Sequence, residues 1–459
     1  MPGPDLGMGF LPLRELFREA RPPGSPVAIH LDSAHGPAAR TWAEFTAAAA
    51  WAADRARRGG GRRWVLACPE AWDFATGLFG LLQAGRTVVL PPNFLPETLR
   101  GLEREADGVL WETGAAPAGA PAVLEGSLEF WTSGSTGEPK GVPRSLAQLD
   151  AEVAMLERTF GHLLPAGPMV GTVPHHHIYG CLFRILWPLA AGRPFLCEPV
   201  GDPAGFRRAL VLGAPVAPTP GAPVAPTPGA PVALVASPAH LSRLPQLLDL
   251  EALPAKPGVI FCSGGPLRAE DAALWRPSGV VEIYGSTESG GIAWRRQGAD
   301  PADADWTPFA DVAVGFQAGA LVVTSFRAGH GPLRMEDAAE PAPGGRFRLL
   351  GRLDRILKLE EKRISLPELE LALESHPWVA RAALVLLEGR RPALGAVVVL
   401  QGAPAGRARL VRTLREHLAQ RFDGPALPRR WRFPNELPYD GRGKLTPQAL
   451  AGLFQLPPT

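Results

Sequence analysis

The chain has 459 residues, of which 46% are hydrophobic, more than one ordinary core absorbs, so a large domain and at least one smaller one are implied. Forty-seven basic residues against 45 acidic ones leave a formal charge of +2, which gives no long-range attraction to nucleic acid or to an anionic membrane. Cys68, Cys181, Cys197 and Cys262 are scattered through apolar stretches without a Cys-x-x-Cys pair, as reduced, buried thiols of a cytoplasmic protein are.

The opening MPGPDLGMGFLPLRELFREARPPG places acids and prolines where a signal peptide keeps a continuous apolar core, so no export is expected. Short apolar runs that read as buried strands follow: VAIHL from Val27, WVLAC from Trp64, TVVLPP from Thr87, GVIFC from Gly258 and VVEIYG from Val280. Helical patterns such as WAEFTAAAAWAADRARR from Trp42 lie between several of them. That alternation predicts an α/β protein with mostly parallel sheets. The most apolar stretch, from Ala75 to Pro92, is broken by Gln83 and Arg86 and fails as a membrane-spanning helix of about 20 residues. GAPVAPTP occurs at Gly213 and again at Gly221, and GAPVA begins a third copy at Gly229. Prolines this dense bar a helix, so the segment reads as a polyproline-like surface extension before a strand at Val232 to Ala236. It is either an inert duplicated loop or a docking site for a proline-recognising partner. After Arg352 the texture changes to the charged run ILKLEEKRISL and a helix with Pro367 in its first turn. VARAALVLLE, LGAVVVLQ and the helix RLVRTLREHLAQRF complete a small α+β domain. The predicted domains are therefore 1–353 and 354–459.

The strongest chemical signal is LEFWTSGSTGEPKGVPRS, from Leu128 to Ser145. A strand runs into Thr132, Ser133, Gly134, Ser135, Thr136 and Gly137, with Lys140 three residues on; small residues let backbone N–H groups approach phosphate oxygens. It is not the nucleotide loop of P-loop enzymes, because Gly-x-x-x-x-Gly-Lys-Ser/Thr occurs nowhere in the chain. Three adjacent histidines stand in PHHHIYG, from Pro174 to Gly180. Neighbours on a strand point to alternate faces and cannot converge on one ion, so a polar wall or a loop is favoured over a metal.

The ordered set of motifs resembles the adenylate-forming superfamily of acyl-CoA synthetases, peptide-synthetase adenylation domains and luciferases over nearly the whole chain. The loop at Thr132 to Gly137 is that family's hallmark. IYGSTESGG from Ile283 is similar to its second core motif, in which the resemblance assigns Tyr284 to stack on adenine, Thr287 to a phosphate and Glu288 to Mg²⁺, with Gly285 and Ser286 between them. CSGGPL from Cys262 resembles the loop flanking adenine and the acyl carbonyl, which places Ser263, Gly264, Gly265 and Pro266 there. Asp337 falls where the family grips the ribose hydroxyls, although Met335-Glu336 replaces the usual Thr-Gly before it. GRLDRILKLEEKRIS from Gly351 resembles the interdomain motif, implying nucleotide contact by Arg352 and a hinge at Asp354. LPYDGRGKLT, from Leu437 to Thr446, is similar to the loop that carries the catalytic lysine, here Lys444. The histidine segment aligns with the acyl-pocket motif and implies contacts by His176, His177 and Tyr179.

The resemblance implies a large N-terminal ATP- and acid-binding domain, a small mobile C-terminal domain, ATP and Mg²⁺ as cofactors, and an acyl-adenylate passed to a thiol. That thiol belongs to CoA or to a carrier protein's phosphopantetheine. No aspartate stands where an α-amino group would be held, which disfavours amino acids. The texture of PHHHIYGCLFRILWPL and KLEEKRISLPELE resembles ligases that supply hydroxyaryl starters or acyl groups to carrier proteins in pigment and polyene pathways. Glu361 replaces a usual glycine near the thiol channel, which disfavours free CoA. The only Asp-Ser, Asp32-Ser33, lacks a phosphopantetheine context, so a carrier would be a separate protein. A catalytically silent nucleotide-binding relative and an unrelated phosphotransferase are the competing readings.

Overall fold

A computed structural model describes residues 9–18, 21–31, 37–115, 123–132, 140–212, 231–297, 305–329, 331–359, 362–387, 393–402, 406–422, 424, 427–438 and 445–455; for 354, 356–359 and 362–365 it describes the backbone alone. The chain divides into two compact units, residues 1–314 with 323–333, and residues 315–322 with 334–459.

Two parallel-rich sheets build the first unit. The larger has nine strands, and its central parallel run places Phe195–Leu196, Met169–Gly171, Ala233–Ala236, Val259–Cys262 and Val280–Ser286 side by side. All four residues of Ala233–Ala236 and of Val259–Cys262 are buried. Strands covered on both faces need apolar side chains on both, and the sequence accordingly shows continuous runs instead of alternation. The smaller sheet has five strands: Gly108–Leu110, Arg63–Leu66, Thr87–Leu90 and Ser127–Thr132 are parallel, and Lys140–Ser145 returns antiparallel at its edge.

Capping fixes the helices that matter most. Trp42–Gly59 begins at Thr41, whose hydroxyl accepts from Glu44 N–H while the Glu44 carboxylate accepts from Thr41 N–H. Leu146–Phe160 begins at Ser145 with the same reciprocal arrangement to Gln148. Such boxes satisfy two of the four donors that every helix start leaves open. The second helix therefore begins one residue after the strand Lys140–Ser145 ends, and a rigid strand-to-helix corner follows.

The second unit contains most of a four-stranded sheet ordered Ala313–Gln317, Ala320–Thr324, Leu333–Pro341, Phe347–Arg352. Beyond it, the charged run after Arg352 forms an antiparallel pair, Ile356–Leu359 with Lys362–Ser365. Val379–Leu387 and Ala393–Leu400 pair antiparallel, and Arg430–Arg432 joins the latter in parallel. Leu369 and Leu373 from Leu366–Glu374, and Leu410, Leu414 and Leu418 from Arg407–Ala419, pack on this three-stranded sheet in one apolar cluster. The compact division falls earlier than the boundary expected at residues 353 and 354, because the sheet ending at Arg352 associates with the C-terminal residues. The GAPVAPTP repeat, Glu361 and the loop at Lys444 lie outside the described residues.

Candidate functional site

In open parallel sheets, ligands bind in the crevice beyond the carboxyl ends of the strands. Several sequence-predicted residues of the first unit gather at such ends. Thr132 and Lys140 are cross-strand partners closing a hairpin, so the Gly/Ser/Thr loop between them springs from the end of the five-stranded sheet. The loop itself, Ser133, Gly134, Ser135, Thr136 and Gly137, lies outside the described residues. Glu288 sits in the turn after Val280–Ser286, and its Oε1 is 3.9 Å from Lys140 Nζ. Both side chains are open, 66% exposed for Lys140 and 42% for Glu288. A cation and a carboxylate from two different sheets thus face one another at a solvent-accessible junction.

The turn at Thr287 and Glu288 is tightly built. Ser286 N–H donates to Ser289 Oγ (3.0 Å), Ser289 N–H donates to Ser286 Oγ (3.1 Å), and Ser289 Oγ–H donates to Gly290 O (2.8 Å). The Ser286 hydroxyl, expected at the nucleotide, is thereby occupied within the turn. Gly285 has a packing reason: a Cβ there would lie 2.2 Å from the Gly290 carbonyl oxygen, a contact no larger residue can make. Arg144, fully buried, donates to the carbonyls of Thr287 and Glu288, both at 3.2 Å.

Next along the sheet, Ser263 Oγ–H donates to Ile283 O at 2.7 Å, tying the Cys262–Leu267 loop to the strand that carries Tyr284. Gly264 takes φ +94°, in the region favouring glycine, and Gly264, Gly265 and Pro266 are exposed. The half-buried Tyr284 ring lies 5.6 Å from the buried Trp306. Tyr179 O–H donates to Ala236 O at 3.3 Å, and burial pushes its phenol well above the usual range.

The histidines differ from expectation. They occupy a turn leading into Ile178–Gly180 and not a strand, so their rings do not alternate: His175 and His176 lie 5.8 Å apart, His176 and His177 4.4 Å. Pro174 and Gly180 impose this, since a Cβ at Gly180 would sit 1.9 Å from the Pro174 carbonyl oxygen. The residues also separate in character. Buried His175 places Nε2 3.4 Å from Cys68 O, and its ring lies tilted against Phe74 with centroids 4.6 Å apart. His176 meets Phe94 edge-on at 4.6 Å, and its Nδ1 is buried without a hydrogen-bond partner. Burial lowers both imidazoles to about 3, with neighbouring Arg184 and His177 adding to the effect, so each is neutral at ordinary pH. His177 is exposed. Among the described residues, no group of three His, Cys, Asp or Glu side chains gathers as a metal cage.

A model of the AMP-binding enzyme family matches residues 128–317. The 4-coumarate–CoA ligase of Rhodobacter capsulatus is 32% identical over 69% of this chain and 73% of its own length. The chain belongs to the AMP-binding enzyme family. A 4-chlorobenzoate–CoA ligase from Arthrobacter is 25% identical over 80% of this chain and 74% of its own. The fold is shared with ATP-bound MatB from Rhodopseudomonas palustris, at a TM-score of 0.77 and 17% identity, over 96% of this chain and 98% of that one. The protein is thus an ATP-dependent, adenylate-forming acid–thiol ligase with the superfamily's α/β architecture.

Within the AMP-binding enzyme, the remaining sequence-predicted residues belong to the second unit. Asp337 and Arg352 are cross-strand partners, and Arg352 Nη2 also lies 2.5 Å from the carboxylate of Glu336, the residue standing in for the usual glycine. The side chain of Asp354 and all of Lys444 lie outside the described residues. Sequence reasoning passed over Trp306, Glu152 and Arg327. It quoted Arg144 only as part of a motif, although a lone arginine in a half-buried strand is itself a signal that a partner waits inside. No helix of the described residues is long and apolar enough to cross a membrane.

Proposed function

We propose that this ligase activates an aryl acid of the hydroxybenzoate type and delivers it to the thiol of a phosphopantetheine carried by a separate protein. The observations supporting an aryl substrate are the edge-on Phe94–His176 ring contact within the predicted acyl-wall segment and Tyr179, whose O–H reaches Ala236 O at the carboxyl end of a central strand. His177 contacts the acyl end in this reading, and Ser263 and Gly264 flank the carboxyl group.

In the first step a carboxylate oxygen attacks the α-phosphorus of ATP, the bond to the bridging oxygen breaks, and pyrophosphate leaves. Every reactant is anionic, so fixed positive charge and N–H donors lower the barrier. Thr132 to Gly137, with Lys140, hold the phosphates; Tyr284 stacks on adenine; Thr287 bonds a phosphate; Asp337 and Arg352 hold the nucleoside side. Lys444 is the catalytic cation and Asp354 the point about which the C-terminal part turns. The donor set near Glu288, one exposed carboxylate without a cluster, fits Mg²⁺, which keeps waters and binds largely through substrate phosphates. The ion would neutralise phosphate charge there. In the second step the thiolate attacks the acyl carbonyl, a C–S bond forms, and AMP departs with the electron pair of the C–O bond.

The acceptor is a polyanion or is borne by one in either form. Residues 407–432 concentrate eight arginines against Glu416 and Asp423, and Arg409, Arg412, Arg421, Arg429 and Arg430 are exposed. These exposed cations suit an acidic carrier. Free CoA is the second reading, favoured by the relatives named as CoA ligases.

ATP/pyrophosphate exchange over a panel of aryl, fatty and short acids, with CoA and carrier arms for the second step, tests this. 4-Hydroxybenzoate is expected to support faster exchange than benzoate or octanoate, and Lys444→Ala to cut exchange about a hundredfold or more while nucleotide binding is kept. Exchange driven only by fatty acids rejects the aryl reading. Equal exchange in Lys444→Ala and parent rejects the lysine's role.

A further inference from the structure

The charged residues buried behind the Thr287–Glu288 turn have no part in the reaction scheme above, yet with Arg184 and Glu282 they are among the most deeply buried charged residues of the first unit. Arg144, Glu152 and Arg327 have side-chain exposures of 1%, 2% and 0%. Taking such groups out of water costs several kcal/mol per ion, so their retention needs a compensating arrangement. Here the compensation runs through the backbone of one turn. Arg144 Nη1–H donates to Thr287 O and Glu288 O, and its Nη2 reaches Glu152 Oε2 at 3.3 Å. Glu152, two turns along the helix that Ser145 caps, accepts from Gly291 N–H at 2.7 Å and from Arg327 Nη1–H at 2.9 Å. Arg327 in turn donates to Gly291 O at 2.7 Å and is held by both oxygens of Asp311, at 2.7 and 2.9 Å. Two guanidinium groups and two carboxylates make the set electrically balanced.

The two glycines that close the motif follow from this set. A Cβ on Gly290, which has φ +68°, would lie 2.1 Å from Glu152 Oε2, and one on Gly291 would lie 3.1 Å from Glu152 Oε1. The turn is therefore shaped to receive the Glu152 carboxylate against its N–H, with the Arg144 guanidinium gripping its carbonyls from the other end.

We propose that Arg144, Glu152 and Arg327 are positioning residues that fix the Thr287–Gly291 backbone, so that the Glu288 carboxylate meets the cation of the outer phosphates in one geometry. Arg144 belongs to the strand whose first residue, Lys140, closes the phosphate-loop hairpin. The network thus couples the two motifs physically, by a strand and a helix of one corner. The inference rests on the reading that Thr287 and Glu288 serve the phosphates.

AMP lacks the outer phosphates, which makes it the internal control. Titration of Arg144→Lys and of Gly291→Ala with Mg·ATP and with AMP is expected to show about tenfold weaker Mg·ATP binding, as loss of outer supports of a metal site costs, and AMP binding within about twofold of parent. Amide hydrogen exchange of residues 287–291 is expected to quicken in both variants, and thermal unfolding verifies that each is folded. Equal weakening of both nucleotides, or unchanged exchange at 287–291, overturns the proposal. The reading beneath it has its own control, since Glu288→Gln binding Mg·ATP like the parent would reject the metal-side role of Glu288 while the exchange result still decides the positioning role.

Discussion

An open ion pair and a buried ion network meet at the same turn and behave in opposite ways. Lys140 and Glu288 face each other at 3.9 Å across open solvent, whereas Arg144, Glu152 and Arg327 lie almost wholly out of water a few residues away. An exposed pair at that distance contributes under about 1 kcal/mol, so either partner is free to exchange the other for a phosphate oxygen or a cation. Breaking a buried pair costs about 3–5 kcal/mol because the remaining charge is stranded. The weak pair is where a ligand can compete. The strong set holds the backbone against which that competition takes place.

The largest effect is expected from stranding a buried charge. Glu152→Ala leaves two guanidinium groups without their shared carboxylate and the Gly291 N–H without an acceptor, and is expected to destabilise the first unit by about 3–5 kcal/mol in denaturant unfolding. A loss below about 1 kcal/mol would mean that water reaches the set and that it is no stronger than the open pair.

A second test concerns buried groups that lack a carboxylate. His175 and His176 are held neutral, lowered to about 3 by burial, while an unfolded imidazole takes up its proton near pH 6.5. Below that pH the unfolded chain binds more protons than the folded one. Their contribution is therefore complete above about 6.5 and is lost as pH falls toward 3, with a slope of up to about 1.4 kcal/mol per pH unit for each histidine. Unfolding measured from pH 7 to 4 is expected to show this loss, and His176→Gln to remove one histidine's share. A His176→Gln slope equal to the parent's would place that imidazole in water.

The sequence made some of this legible and not the rest, for reasons visible in particular residues. The strands Ala233–Ala236 and Val259–Cys262 are readable because parallel strands buried on both faces read as continuous apolar runs. The Thr132-to-Lys140 and Tyr284-to-Glu288 motifs are readable because small residues and one carboxylate at fixed spacing suit phosphate and its cation. For the histidines a loop was among the readings, but the strand alternation used against a metal does not apply in the turn they form, since period-2 reasoning carries no information about the close approach of Gly180 to the Pro174 carbonyl. Glu152 and Arg327 were invisible for a different reason. Glu152 shares its helix with Asp150, Glu157 and Arg158, so its charge does not stand out in the pattern, and Arg327 is 175 residues away from it. Long-range pairing of that kind has no local signature.

The smallest effect is expected on stability from Lys140, and it is the most discriminating. At 66% exposure its ammonium contributes little to folding, so Lys140→Ala should change unfolding by no more than about 0.5 kcal/mol. If the residue's role is toward a nucleotide, the same substitution should weaken Mg·ATP binding several-fold, because a charge-assisted contact to phosphate in a partly desolvated cleft is worth more than the pair it replaces. AMP, with its single phosphate, should feel less. Unchanged affinity for both nucleotides would make Lys140 a solvated surface charge and Glu288 its idle neighbour, and would move the search for the phosphate-binding cation to Lys444. Conversely, a stability loss as large as that of Glu152→Ala would show that the open pair is structural and that the turn is held from both sides.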